Sequence, residues 1–169
     1  APFRYCQIEN YAGIVDAGDV VRLTVTYPFD TRASHFVSDN AALNEVWDMC
    51  RYTIEATSAL GIYIDGDRER IPYEADAIIN QLGHYAVDRE YAMARRTSEY
   101  LLQHPTWPTE WILQALIIAW NDYLYTGDLR SVEQNYDLLS ARTLRSLRRD
   151  NGLISTSIDN TVSTDAFRR

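Results

Sequence analysis

Five carboxylates and two arginines fall within one short stretch, residues 62–76, which reads Ile-Tyr-Ile-Asp-Gly-Asp-Arg-Glu-Arg-Ile-Pro-Tyr-Glu-Ala-Asp. The carboxylates are Asp65, Asp67, Glu69, Glu74 and Asp76, and the arginines are Arg68 and Arg70. The apolar residues between them favour burial, and a carboxylate held against apolar groups acquires a shifted pKa. General acid catalysis requires such a carboxyl group, so this stretch is the candidate site.

The order of the charges suggests how they are arranged. In an extended segment alternate residues point the same way, so Asp65, Asp67 and Glu69 are predicted to share one face. Their mutual repulsion would raise the pKa of Glu69 and keep it protonated near neutral pH. Arg68 and Arg70 would point to the other side and brace the loop.

Other interpretations of the stretch remain open. A glutamate beside two arginines is most simply a salt-bridged loop residue. A calcium loop is a second alternative, since Asp65, Asp67, Glu69, Ile71 and Asp76 fall at EF-hand positions 1, 3, 5, 7 and 12. However, Arg70 stands where that loop requires glycine. Tyr73 and Asp76 could simply form the first turn of a helix, where an acid compensates the dipole.

A second candidate segment is Thr-Trp-Pro-Thr-Glu-Trp at 106–111, before an apolar helix. Trp107 and Trp111 could stack on a bound ligand, with Glu110 between them, or the tryptophans could simply pack at the helix start. No metal site is expected, because His35, His84 and His104 lack partners at ligand spacing, and His84 is interpreted as a structural histidine. No cofactor motif is present.

The composition excludes several functional classes. A formal net charge of −8 argues against a general nucleic-acid binder. No run of about 18 apolar residues occurs, so no membrane span is expected. Cys6 and Cys50 are too few and too far apart for a disulfide framework, and we expect both to be buried as small hydrophobic residues.

Periodicity predicts a mainly helical chain after a short β segment. Period-two alternation predicts strands over residues 3–8 and 20–27. Helices are predicted over residues 40–59, from Pro72 to Val87, from near Asp88 to the residue before Pro105, from Ile112 to Tyr125 and over 129–149. Short links favour antiparallel hairpins. Helix 112–125 is apolar on nearly every side and is expected to be enclosed, with Trp47 and Trp120 in the core.

Three runs resemble the α-L-rhamnosidases of glycoside hydrolase family 78. They are the acidic stretch at 65–76, Pro-Thr-Glu-Trp at 108–111, and Trp-Asn-Asp-Tyr-Leu-Tyr-Thr-Gly-Asp at 120–128. The resemblance covers roughly residues 36–150. It implies a partial six-hairpin α/α toroid, truncated at its C-terminus, over 31–169, preceded by the end of a β domain or a small sheet over 1–30.

The resemblance also implies roles for individual residues. Glu69 matches the family's general acid, Tyr73 stands where many members carry a sugar-site tryptophan, and Asp76 matches a sugar-binding aspartate. The family's upstream sugar-contacting aspartate is replaced by Tyr63, with Asp65 as the nearest substitute. The remaining predicted substrate-binding residues are Asp67, Arg68, Trp107, Glu110 and Trp111. The Asp-Cys-Pro found in many relatives is absent, which is typical of a divergent subgroup.

The implied activity is release of terminal α-L-rhamnose from a glycoside or polysaccharide, with inversion. The family's base lies far downstream, so this chain is expected to be an inactive fragment. A homodimer of the full-length protein and a periplasmic or extracellular bacterial location, rather than a cytoplasmic one, are compatible with the resemblance. The alternatives are a non-catalytic carbohydrate-binding or scaffolding domain, and another α/α-toroid hydrolase acting on glucosides or uronides.

Overall fold

The computed structural model describes residues 5–58, 60–66 and 68–155, and this part of the chain is mainly helical. The α-helices are α1 (Ala41–Thr57), α2 (Glu74–Val87), α3 (Ala92–Gln103), α4 (Thr109–Thr126), α5 (Arg130–Gln134) and α6 (Tyr136–Ala141). Short 3-10 turns cover Ala17–Asp19 and Arg145–Leu147. The predicted helical class is confirmed.

Local signals set the bounds of the long helices. The Asn40 side chain accepts a hydrogen bond from the Ala42 N–H at 3.0 Å and caps α1. Gly127 ends α4 in the left-handed conformation, with a φ of 68°, which glycine adopts without the steric cost of a Cβ. The predicted bounds of α1, α2 and α4 are therefore close to the observed ones.

The single helix predicted over residues 129–149 is wrong. The chain instead forms two short helices, α5 and α6, followed by Leu144 at a φ of 57°. Asn135 separates α5 from α6, and its side chain donates to the Ser131 carbonyl at 2.9 Å, a local bond that competes with helix continuation. The turn at Leu144 lets this side chain pack against Ile112 of α4, so tertiary burial outweighs helix propensity.

The N-terminal strand prediction is also not found in the part of the chain that the structure describes. Residues 5–30 contain no strand, and Val21, Leu23 and Val25 are 77%, 87% and 73% exposed. The only bridge among the described residues joins Arg148 and Ile154. A strand requires a neighbour to pair its backbone groups, and no described segment supplies one. The first residues of the predicted strand 3–8 lie outside the described residues.

The largest core cluster lies between α2, α3 and α4. Ala77 and Tyr85 of α2, Met93 of α3 and Ile118 of α4 are all buried in it, together with Tyr63 from the segment before α2. Full burial of one such side chain contributes about 1.5–3 kcal/mol. This cluster fixes the acid-rich loop, because Tyr63 lies only two residues before Asp65.

Several burial predictions are wrong. Cys6 and Cys50 are exposed, and Trp120 is 56% exposed. Helix α4 is not enclosed, because α2, α3 and the α5–α6 segment pack on one part of its surface and leave Ile117 and Leu124 facing solvent. An apolar sequence can show that a helix has a large contact surface, but it does not supply the neighbours that would cover it.

Trp47 is half-buried rather than in a core cluster. Its ring stacks on Phe36 at 6.3 Å between centroids, and the Arg51 guanidinium lies 5.5 Å from the ring centre. Leu43 and Val46 of the same helix are exposed. Helix α1 therefore packs on α2 chiefly through its C-terminal half, where Ile54 is buried.

Candidate active site

The acid-rich stretch between α1 and α2 folds as a closed loop. The Asp65 N–H donates to the Ile71 carbonyl at 3.0 Å, and the Arg70 N–H donates to Asp65 Oδ1 at 2.5 Å. Arg70 adopts a φ of 56° to make this turn, a conformation that costs a non-glycine residue about 1–2 kcal/mol. The predicted extended arrangement of alternating carboxylates is therefore wrong. Asp67 lies outside the described residues.

Loop closure brings Asp65 and Glu69 into hydrogen-bond contact. The hydrogen bond from this pair is the main cause of a raised pKa at Glu69 and of a lowered pKa at Asp65. Two carboxyl groups in contact repel each other when both are ionised, so such a pair gives up its second proton less readily than its first. The raised pKa belongs to Glu69, so Glu69 is the member of the pair that keeps its proton to higher pH.

The arginines do not both point away from the acids. Arg68 forms an ion pair with Glu69, and the Arg68 side chain is 85% exposed. Water screens an exposed pair of this kind, so its contribution to stability is small. Its charge opposes the rise in the pKa of Glu69, but the hydrogen bond from Asp65 is the larger effect.

Three aromatic rings form a wall beside the acidic pair. Tyr73 meets Trp107 and Trp111 edge to face, each at 5.7 Å between centroids, and the two indoles lie 6.2 Å apart. Tyr73 is buried, whereas Trp107 is 53% exposed. Burial and then the negative charges of Glu69 and Asp65 raise the pKa of Tyr73, which places this aromatic wall within electrostatic reach of the acids. We call Tyr73, Trp107 and Trp111 the aromatic wall.

The two remaining predicted site residues differ in their surroundings. Asp76 lies half-buried in the first turn of α2, and burial followed by the charge of Asp65 raises its pKa. It therefore faces the same region as the acidic pair. Glu110 is exposed in the first turn of α4 and makes no hydrogen bond or ion pair with any residue that the structure describes.

Comparison with known protein families decides the classification. Residues 31–162 match the bacterial alpha-L-rhamnosidase 6 hairpin glycosidase domain. The chain belongs to this family. No curated protein and no solved structure matches it. The resemblance expected from the sequence is thus confirmed, and the chain carries a glycosidase domain, which acts on carbohydrate.

A buried carboxylate connects the aromatic wall to the start of α2 in this rhamnosidase domain. Glu74 is 1% exposed, and its Oε1 accepts a hydrogen bond from the Thr106 N–H at 3.2 Å. Its Oε2 accepts a second bond from the Thr106 hydroxyl. The sequence showed Glu74 only as one of the carboxylates of the acid-rich stretch, because no local signal indicates that Thr106, thirty-two residues later, is its partner.

A buried polar chain lies behind the loop of the rhamnosidase domain. The Tyr63 hydroxyl is 2.7 Å from His84 Nδ1, and His84 Nε2 is 3.5 Å from Asp88 Oδ2. Both rings are almost completely inaccessible to solvent. Tyr63 is therefore buried, and it holds the segment that leads into the loop.

Neither a metal-binding cluster nor a membrane-spanning helix was found in the described part of the rhamnosidase domain. No group of three or more His, Cys, Asp or Glu side chains there is arranged to hold a metal ion. None of the described helices combines the length and apolarity needed to cross a bilayer.

Proposed function

We propose that this domain hydrolyses terminal α-L-rhamnosides with inversion, and that Glu69 is the general acid. The observation that carries the proposal is the hydrogen-bonded pair of Asp65 and Glu69, in which the pKa of Glu69 is raised. A carboxyl group that remains protonated can deliver its proton to a departing oxygen. The family match supplies the substrate class.

In this mechanism Glu69 protonates the glycosidic oxygen while the bond from that oxygen to the anomeric carbon breaks. Water attacks the anomeric carbon from the opposite face and gives its proton to a carboxylate base. Inverting enzymes keep these two carboxyl groups about 6.5–9.5 Å apart to admit the water. The resemblance implies a base far downstream in sequence, so Glu69 would supply only the leaving-group half of the chemistry.

The surrounding residues would bind the sugar. Asp76 and Asp65 supply carboxylate oxygens that accept hydrogen bonds from hydroxyl groups, and the exposed face of Trp107 offers an apolar surface for the sugar ring. The negative charge of Asp65 has a second effect, because it favours the protonated form of Glu69.

The test is Glu69→Gln in the full-length protein, assayed on two aryl α-L-rhamnosides with poor and good leaving groups. Loss of general acid catalysis should lower kcat/KM about 10²–10⁴-fold on the poor leaving group. The loss should be much smaller on the activated substrate, whose leaving group departs without protonation. Glu133→Gln, at an exposed position of α5, is the matched control and should leave both rates unchanged.

Equal rates of Glu69→Gln and parent on both substrates would reject Glu69 as the acid. The non-catalytic alternative makes a different prediction. If the domain only binds sugar, neither the parent nor the variant hydrolyses either substrate, while both bind rhamnose with the same affinity.

A further inference from the structure

We propose that Glu74 is a positioning residue that holds Trp107 against Tyr73 and so fixes the aromatic wall of the sugar site. This inference deepens the proposed function and rests on it for the identity of the ligand. Glu74 itself is 1% exposed and therefore does not touch the substrate. It acts through Thr106.

The residues that join α2 to the segment before α4 are adjacent in sequence on both sides of the contact. Tyr73 immediately precedes Glu74, and Thr106 immediately precedes Trp107. Glu74 contacts Thr106 through two hydrogen bonds, and Tyr73 contacts Trp107 ring to ring at 5.7 Å. The dipeptides Tyr73-Glu74 and Thr106-Trp107 are therefore joined by two separate contacts, one polar and one aromatic.

Without the hydrogen bonds between Thr106 and Glu74, Trp107 would be only weakly restrained. Trp107 lies in the segment between α3 and α4 and is 53% exposed, so little packing restrains it. Its edge-to-face contacts with Tyr73 and Trp111 are worth only about 0.5–1.5 kcal/mol each. The Glu74 carboxylate accepts two hydrogen bonds from Thr106, the residue before Trp107. Hydrogen bonds to a charged group are a stronger and more directional restraint.

The buried charge of Glu74 is compensated by groups on both sides. A charged carboxylate is expensive to bury unless hydrogen bonds and an opposite charge compensate it. Thr106 supplies the bonds, and the buried Arg142 lies close enough for the charge of Glu74 to act on the pKa of its guanidinium. Arg142 also donates to the Leu102 carbonyl at 2.9 Å. The restraint is therefore anchored on α3 and on the segment after α6.

The decisive variant is Thr106→Val, which keeps the shape of the side chain and removes the hydroxyl donor. Trp107 and Trp111 are close enough to give an exciton couplet in circular dichroism, which reports their relative orientation without any substrate. We expect the couplet to weaken in Thr106→Val and to remain in the conservative variant Thr106→Ser. Asp122→Asn removes the charge of another buried carboxylate, far from the wall, and controls for general destabilisation.

Kinetics of the full-length protein supply the second measurement. If the aromatic wall binds substrate and transition state equally, loosening it should raise KM and leave kcat almost unchanged. We expect KM for an aryl α-L-rhamnoside to rise about three- to tenfold in Thr106→Val, the effect of losing one aromatic contact. Thr106→Ser should restore the parent value, and Asp122→Asn should leave KM unchanged.

The outcomes separate this inference from the proposed function. An unchanged couplet and KM in folded Thr106→Val would overturn the positioning role, even if Glu69→Gln is inactive. A weakened couplet in a protein whose activity does not depend on Glu69 would support the positioning role and reject the catalytic assignment. If Thr106→Val does not fold, the same readouts on Glu74→Gln decide, since this change removes the charge that the hydroxyl binds.

Discussion

Removal of one buried oxygen at Tyr63 should destabilise the protein measurably. The Tyr63 hydroxyl and His84 Nδ1 lie 2.7 Å apart, and neither is accessible to solvent. Burial lowers the pKa of His84, against the opposing charge of Asp88, so the imidazole is neutral at pH 7. We assign its proton to Nε2, which faces Asp88, and therefore the Tyr63 hydroxyl donates to Nδ1.

Tyr63→Phe keeps the ring and leaves Nδ1 without a donor. A buried acceptor left unpaired costs about 1–3 kcal/mol. For a domain of this size each kcal/mol lowers Tm by about 2–4 °C, so Tm should fall by about 2–12 °C. Burial also raises the pKa of Tyr63, so its hydroxyl remains protonated over the working pH range and the bond is present throughout it.

The assay is thermal unfolding at pH 7, followed by circular dichroism. Tyr52→Phe is the matched control, because this tyrosine is 68% exposed and its change should cost less than about 0.5 kcal/mol. His84→Leu and the double variant complete a mutant cycle. Since the double variant leaves neither partner unpaired, it should be less destabilised than the sum of the single variants.

Two results would refute the reasoning. A Tyr63→Phe protein that melts with the parent and with Tyr52→Phe would mean that the hydroxyl does not bond the imidazole. Additive effects in the cycle would mean that each residue contributes only through its own packing, since a shared bond requires coupling of at least about 0.5 kcal/mol.

Two further changes test the loop and a helix end. Asp65→Asn removes the negative charge, and its amide NH2 can donate to the ionised form of Glu69, so the pKa of Glu69 should fall and the alkaline limb of kcat/KM against pH should move to lower pH; an unmoved limb would exclude Asp65 as the cause. Gly127→Ala places a Cβ in open space at a φ of 68°, so thermal unfolding should report only the backbone cost of about 1–2 kcal/mol. An alanine variant as stable as the parent would contradict this.

The four long helices were predictable because their bounds depend on neighbouring residues. A cap at Asn40 and a left-handed glycine at Gly127 act within one turn of the helix that they end. The left-handed turn at Leu144, which follows α6, had no such signal. Leu144 leaves the helical conformation in order to pack on Ile112, a residue more than thirty positions away.

The N-terminal segment also shows that a local pattern does not reveal its distant partner. Alternation at Val21, Leu23 and Val25 is typical of a strand, but alternation specifies only which residues would share a face. Whether a strand forms depends on a partner that completes the backbone hydrogen bonds. Among the described residues none does, and these side chains remain exposed. The pattern therefore predicts an interaction that the described chain does not contain.

For the acidic loop, the sequence led to the correct direction of the pKa of Glu69 through an incorrect geometry. In an extended segment, alternation would have placed Asp65 and Glu69 on one face. Charge repulsion between them would then have raised the pKa of Glu69. Instead the chain reverses at Arg70, whose N–H bonds Asp65, and the two carboxyl groups meet in a hydrogen bond. This hydrogen bond forms only while the loop is closed. Repulsion between carboxylates along a strand would not require a closed loop. The raised pKa of Glu69 is therefore linked to a single backbone turn, and we expect residues that hold the ends of the loop, such as Tyr63, to affect this pKa without touching Glu69.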